Sequence, residues 1–303
     1  MMKNLKTKIL TLTILISMVS LENANAQTIL NGFFSPKGEA TVALSYTYKP
    51  YSEFYAGKEL QHEAPAGFGE VTSHIGGLYG QYAITDWLEG VVNLPYISQS
   101  NKNDIPDPVN NDDTVSDIQD LGIYLKAKAF QVNKGKSTFT GAVGAGVSTP
   151  LSDYDAGGIL SIGNRSTNVD GYAIAQYRHS SGFLMESQYG YSIRNGIDNF
   201  DVPDAHLMNF KLGFAHKYFY ADAQLGIQSS IGGTDIGSEE FAQQGGPTSF
   251  PNNDVDYTNL GLSVYYPIQK TNWGLSFAYN TILDGRNVGK YSAYTSGIVY
   301  KVK

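Results

Sequence analysis

Long runs of alternating apolar and polar side chains constrain this chain more than any other feature of its sequence. A period of two places unlike residues on the two faces of a β-strand. Between residues 40 and 48, Val42, Leu44, Tyr46 and Tyr48 fall on one side, with Thr41, Ala43, Ser45 and Thr47 on the other. The same pattern sets Leu121, Ile123, Leu125, Ala127 and Ala129 against Gly122, Tyr124, Lys126 and Lys128, and Met208, Phe210, Leu212 and Phe214 against Asn209, Lys211, Gly213 and Ala215. Trp273, Leu275, Phe277 and Tyr279 likewise oppose Gly274, Ser276, Ala278 and Asn280. Beyond Gln27 no stretch of 18 apolar residues occurs, which excludes a helical membrane protein.

Twelve strands follow from these runs, near residues 38–50, 71–84, 87–98, 118–131, 137–149, 168–178, 182–194, 205–216, 218–231, 255–268, 272–283 and 289–301. Tight hairpins join strand pairs at Thr85-Asp86, Asn133 to Lys136, His179 to Ser181, Lys217, and Gln269 to Thr271. The intervening connections are long and polar, notably 99–117, 150–167 and 232–254. Short and long connections alternating along a chain are the connectivity of an outer-membrane barrel. The expected fold is therefore all-β: a closed antiparallel up-and-down transmembrane β-barrel of about 12 strands, with short periplasmic turns and long extracellular loops. An even strand number leaves both termini in the periplasm.

A soluble sandwich or barrel also alternates, but strand length and aromatic placement argue against one. Most runs last 11 to 14 residues, against about 5 to 6 in soluble strands and about 9 to 11 for a tilted membrane-spanning strand. Trp87, Phe130, Phe183, Tyr218, Phe219 and Trp273 lie beside the short turns, as an interfacial girdle requires. An open sheet of this size would also expose a long edge. The other face carries Glu89, Asp120, Lys126, Lys128, Arg178, Glu186, Lys211 and Asp222, the candidate lumen-facing residues. We expect these cations and carboxylates to face one another across the bore.

The N-terminus reads as an export signal over residues 1–26. Lys3, Lys6 and Lys8 precede an apolar stretch from Ile9 to Leu21, and Ala24-Asn25-Ala26 has the form of a cleavage site. Residues 27–37 are expected to form an N-terminal periplasmic segment and 38–303 the barrel. With Ile29, Leu30, Phe33 and Phe34, the segment is placed along the periplasmic rim, insertion into the lumen being the alternative. The 303 residues contain no Cys, which removes disulfides, thiolate metal sites and Cys nucleophiles. A formal net charge of -7 argues against a nucleic-acid partner.

Two runs, Trp87-Leu-Glu-Gly-Val-Val-Asn-Leu-Pro-Tyr96 and Val115 to Lys128, together with the signal-plus-twelve-strand layout, carry a family likeness. They resemble the outer-membrane transporter family called putative meta-pathway of phenol degradation, which is similar to fatty acid and aromatic hydrocarbon channels. The resemblance implies passive uptake of small, often hydrophobic compounds, without binding residues that carry over position by position. The chain departs from many outer-membrane barrels by ending Tyr300-Lys301-Val302-Lys303 instead of on an aromatic residue. Recognition by the outer-membrane assembly machinery is then expected to rest on Tyr294, Ile298, Tyr300 and Val302, which share one face.

The expected function is an outer-membrane channel whose partners are outer-membrane lipids and a small-molecule permeant, with no cofactor. Small lumen positions such as Thr140, Ala142, Gly144, Gly146 and Ser148 leave room for a pore, the alternative being a barrel closed by ion pairs. An enzyme would need a nucleophile and base held together. Among His62, His74, His179, His206 and His216 only His179 has a His-x-Ser spacing, in the tight turn His179-Ser180-Ser181, and none lies in a Gly-x-Ser-x-Gly or His-Glu-x-x-His arrangement. A structural or adhesion barrel is the third reading. Asp104, Asp107, Asp112, Asp113 and Asp117 lack the EF-hand spacing and read as a solvated loop without a metal, and 232–254 reads as a flexible lid.

Overall fold

The computed structural model describes residues 29–197 and 200–303, so the export signal lies outside the described residues. Twelve strands form one ring: β1 (Ala40–Tyr51), β2 (Val71–Ala83), β3 (Leu88–Asn101), β4 (Thr114–Ile118 continuing as Asp120–Lys134), β5 (Ser137–Pro150) and β6 (Ser166–His179). The ring continues with β7 (Phe183–Gly196), β8 (Ala205–His216), β9 (Phe219–Ser230), β10 (Asp256–Pro267), β11 (Trp273–Arg286) and β12 (Ser292–Val302). Each strand pairs antiparallel with its sequence neighbours, and β1 pairs with both β2 and β12, which closes the sheet into a barrel.

Strand β4 starts earlier than the alternation indicates, because residues 114–118 pair with β3 beyond a break at Gln119. The Gln119 N–H donates to Pro95 O at 2.9 Å. Pro95 has no N–H to return, so the ladder slips by one residue there and resumes. At the opposite end Gly182 adopts φ +101, and a Cβ there would collide with Ala215 O, so this turn admits only glycine.

The alternation is realised with its apolar side outward. Leu44, 61% exposed, stands beside Leu78 on one neighbouring strand and Ile298 on the other, both also exposed. Val42, Ile123, Leu125, Leu212, Leu262 and Phe277 continue the same exterior belt. The opposite residues, among them Thr41, Gln81, Lys126, Gln176 and Asn209, are buried inside. A greasy exterior around a polar interior is stable only when acyl chains surround it. Among the described residues no helix is long and apolar enough to cross a membrane; the strands cross it.

All the short turns lie at one end. At the other, the long connections pack on one another around their own small core of Ala64, Phe68, Val71 and Leu160. Asp107, fully buried, accepts N–H bonds from Val109, Ile159 and Leu160 at 2.8, 2.6 and 2.7 Å, which ties loop 102–113 to loop 151–165. The loop 231–255 contains a short helix at Glu239–Gln243 and reaches the same neighbour through Gly158 N–H to Pro247 O at 2.9 Å.

The exterior belt yields a direct test. Leu44→Arg should lower the unfolding free energy in phospholipid vesicles by about 2 to 4 kcal/mol, measured by urea titration. On a soluble surface the same change stays within about 0.5 kcal/mol.

Candidate functional site

The interior is divided by residues 29–35, which run up the bore from the short-turn end instead of lying along the rim. Lys37 N–H donates to Asp86 Oδ1 at 2.8 Å at the entrance, and Ser35 N–H donates to Glu89 Oε1. Further in, Lys126 Nζ donates to Phe33 O, Gly32 N–H to Glu186 Oε2 at 2.9 Å, and Gln188 Nε2 to Leu30 O at 3.0 Å. Leu30 and Phe33 are buried in the core that fills this level, with Phe33 edge-on to Tyr220 at 6.1 Å. Apolar side chains placed on a rim would stay in water; the bore removes them from it. A Cβ on Gly32 would stand 2.8 Å from that of Gln176, so the segment passes the wall only as glycine there.

The wall makes room in a matching way. Any side chain at Gly144 would collide with Leu30, and one at Gly146 with Tyr124. The gaps at Gly144 and Gly146 on β5 are therefore filled, by the segment and by a tyrosine.

Six of the eight charged residues expected in the lumen gather around the segment. Lys126 Nζ lies 2.9 Å from Glu89 Oε2 and Lys211 Nζ 3.7 Å from Glu186 Oε1, all four buried. Lys126 and Lys128 sit over the Phe34 ring at 4.6 and 4.9 Å, and the Arg178 guanidinium over the Phe33 ring at 5.8 Å. Asp222 accepts from Ser263 Oγ at 2.7 Å on the wall beside Tyr220. Asp120 stands apart near the loops and accepts from Tyr154 Oη at 2.7 Å. Neither ion pair is made across the bore. Glu89 and Lys126, and likewise Glu186 and Lys211, are direct cross-strand neighbours, so each charge is met along the wall.

Beyond Ile29 the bore opens into a chamber of ≈ 490 Å³. Tyr79, Tyr124, Tyr172, Tyr257, Tyr279 and Tyr291 contribute to its lining. Tyr124 Oη donates to Asp170 Oδ2 at 2.9 Å, and Arg194 Nη2 to Gln228 Oε1 at 3.2 Å. The Asn209 amide, 1% exposed, has no hydrogen-bond partner among the described residues, nor has Gln188 Oε1. Sequence reasoning missed these amides, because one Asn in an alternating strand looks like any other polar wall position.

Above the chamber Arg286 clasps the loop 231–255, binding Asp235 through Nε and Nη2 at 2.6 and 2.8 Å and Asp254 through Nη1. Asn287, at φ 52, accepts from Gly57 N–H and Ile236 N–H and joins a second loop to the clasp. The Arg286 hydrogen bonds hold the Asp235 carboxyl below the usual carboxylate range, whereas burial and then Asp256 raise that of Asp254. The histidines lie outside the bore or in loops: His74 bonds Tyr46 Oη, His206 bonds Tyr189 Oη, and His62 bonds Glu53. Among the described residues no cluster of His, Asp and Glu has the arrangement of a metal site.

Comparison with known proteins agrees with this architecture. The model of the family described as "Putative MetA-pathway of phenol degradation" matches residues 39–296. In structure the chain is similar to the COG4313 outer membrane channel from Pseudomonas putida F1, with 14% identity and TM-score 0.69 over 93% of this chain and 100% of that one. It is also similar to the NanC porin, with 9% identity and TM-score 0.51 over 86% and 100% of the two chains. No curated protein matches it in sequence.

Two outcomes follow. Lys126→Met should destabilise the barrel by about 3 to 5 kcal/mol by stranding Glu89, and adding Glu89→Gln should recover most of that loss, as read from urea unfolding. Acidification reaches Asp254 first and relieves its burial. The contribution of Asp235, whose folded-state proton affinity is depressed, is present at neutral pH and lost only as pH falls through its lowered value. Loop 231–255 should thus resist limited proteolysis down to about pH 4 and open below that, whereas Arg286→Met should open it at neutral pH.

Proposed function

The chain belongs to the family described as "Putative MetA-pathway of phenol degradation", and on that premise we propose that it is an outer-membrane channel for passive uptake of small hydrophobic or aromatic solutes, closed at rest by its own residues 29–35. The observation that carries the reading is the stacking of two features in one bore: a chamber toward the loops, lined by six tyrosines among polar side chains that include Lys49, Asp170 and Arg194, and an apolar segment beneath it. Tyrosine rings bury an aromatic or aliphatic solute on their faces, while the Asn209 amide and Gln188 Oε1, unpartnered among the described residues, offer bonds to a polar group the solute carries. The likeness to a channel from Pseudomonas putida F1 supports the fold side of this reading.

The short turns face the periplasm and the loops the exterior, in the usual sense of such barrels. A solute then enters between the loops, rests in the chamber and leaves past the segment. Release of the segment exchanges its peptide hydrogen bonds for bonds to water, at a net cost of about 1 kcal/mol each. It also exposes Leu30 and Phe33, on the order of 1.5 to 3 kcal/mol apiece. The sum keeps the bore shut nearly all the time, and a solute that competes for the same apolar surface shifts that balance.

The rival reading, a barrel braced shut by its ion pairs, draws on the burial of Glu89, Lys126, Glu186 and Lys211. Planar-bilayer recording separates the two. The full protein should show rare openings and a variant lacking residues 29–35 a sustained conductance, with liposome swelling faster for aromatic and aliphatic solutes than for sugars. Equal silence from both folded proteins would establish the brace and end the channel proposal.

A further inference from the structure

The two ends of the barrel differ sharply in charge. Loops at one end hold most of the carboxylates, including Glu53, Glu59, Glu63, Asp112, Asp113 and Glu240. The short-turn end is basic. Lys134 and Lys136 flank the turn at Gly135, Lys217 is the turn between β8 and β9, and Lys270 caps the turn between β10 and β11; all four are exposed. Among the described residues of this outer rim only Glu39 and Asp86 carry the opposite sign, and Asp86 is engaged by the Lys37 N–H.

The depth of these lysines is set by their neighbours. Trp87, Phe130, Tyr218 and Trp273 are exposed on the outer wall beside the same turns. Lys217 Nζ lies over the Tyr218 ring at 4.6 Å, and Trp273 packs on Tyr300 at 4.5 Å. Tryptophan and tyrosine at the end of an apolar belt settle at the headgroup level of a bilayer. A lysine one to six residues further along, in the turn itself, extends its ammonium into the phosphate layer. Four such cations, arranged around the circumference with few counter-charges, form a surface complementary to anionic phosphates in the surrounding leaflet.

We infer that the short-turn rim binds the anionic headgroups of the leaflet around it, taking acidic glycerophospholipids such as phosphatidylglycerol in preference to zwitterionic ones. The annulus of acidic lipid then anchors this end at a fixed depth and complements the acidic loops at the other in holding the barrel upright. The inference depends on the barrel's place in the membrane and not on what it transports.

Both tryptophans of the chain, Trp87 and Trp273, lie on this rim, so selectively excited tryptophan fluorescence reports on it alone. The full barrel is reconstituted in phosphatidylcholine vesicles with a minority of phosphatidylglycerol, and the bromine quencher is carried on the chains of one lipid or of the other at equal amount. Quenching by brominated phosphatidylglycerol should exceed that by brominated phosphatidylcholine by about twofold or more. The excess should vanish at about 0.5 M salt and in K134Q/K136Q/K217Q/K270Q, yet persist in the loop-end control K58Q/K102Q. Blue-shifted tryptophan emission in pure phosphatidylcholine certifies that each variant is inserted. Equal quenching by the two lipids, or a preference that survives the four substitutions, would overturn the inference.

Discussion

Everything in this molecule follows from the need to leave no backbone N–H or C=O unpaired inside a hydrocarbon layer. A sheet meets that need only by closing on itself, and here β1 completes the ring by pairing along its length with β12 on one side and β2 on the other. Closure leaves no edge, and the strand number fixes the bore. Twelve strands enclose more space than wall side chains fill, as they do in eight-stranded barrels, and less than the water-filled channels of sixteen. The interior is thus left with a middle width, into which a single extended segment fits.

The polar chemistry of the bore makes sense only with that segment in place. A buried ion pair by itself recovers its desolvation cost poorly. Glu89 and Glu186 each meet a lysine along the wall, and each also accepts a peptide N–H from residues 32 to 35. Wall and segment satisfy one another in the same contacts. At about 1 kcal/mol each, these polar bonds together contribute to the grip on the segment about as much as the burial of Leu30 and Phe33. The carboxylates set where the segment sits, and they share with the apolar side chains in holding it.

The barrel was readable from the sequence because its two faces repeat at every second residue, and the twelve expected strands differ from the observed ones mostly by a few residues at their ends. Strand β4 shows the limit: a break at Gln119, imposed by Pro95 on another strand, hides its first residues among loop composition. Parity places Glu89, Lys126, Glu186 and Lys211 on the polar face, and the structure buries all four. Their partners are not legible that way, since parity says which face a side chain takes and register says whom it meets. Glu89 pairs with Lys126 because the β2–β3 and β3–β4 connections happen to bring them level. The clasp of Arg286 on Asp235 and Asp254 joins residues of loops with no periodicity at all.

The segment itself is the instructive case. Gly144 and its small neighbours on β5 read as space, and space on a barrel wall reads as a pore. Space also reads as a place for something, and the occupant lies more than a hundred residues away, ahead of the first strand. Ile29, Leu30, Phe33 and Phe34 are too apolar for a chain lying in water along a rim, and that excess is the signal that could have placed them inside. Volume missing from one part of a sequence and apolar surplus in another are complementary observations. Where a closed sheet forbids the surplus from packing outside among polar turns, the bore is the place that receives both.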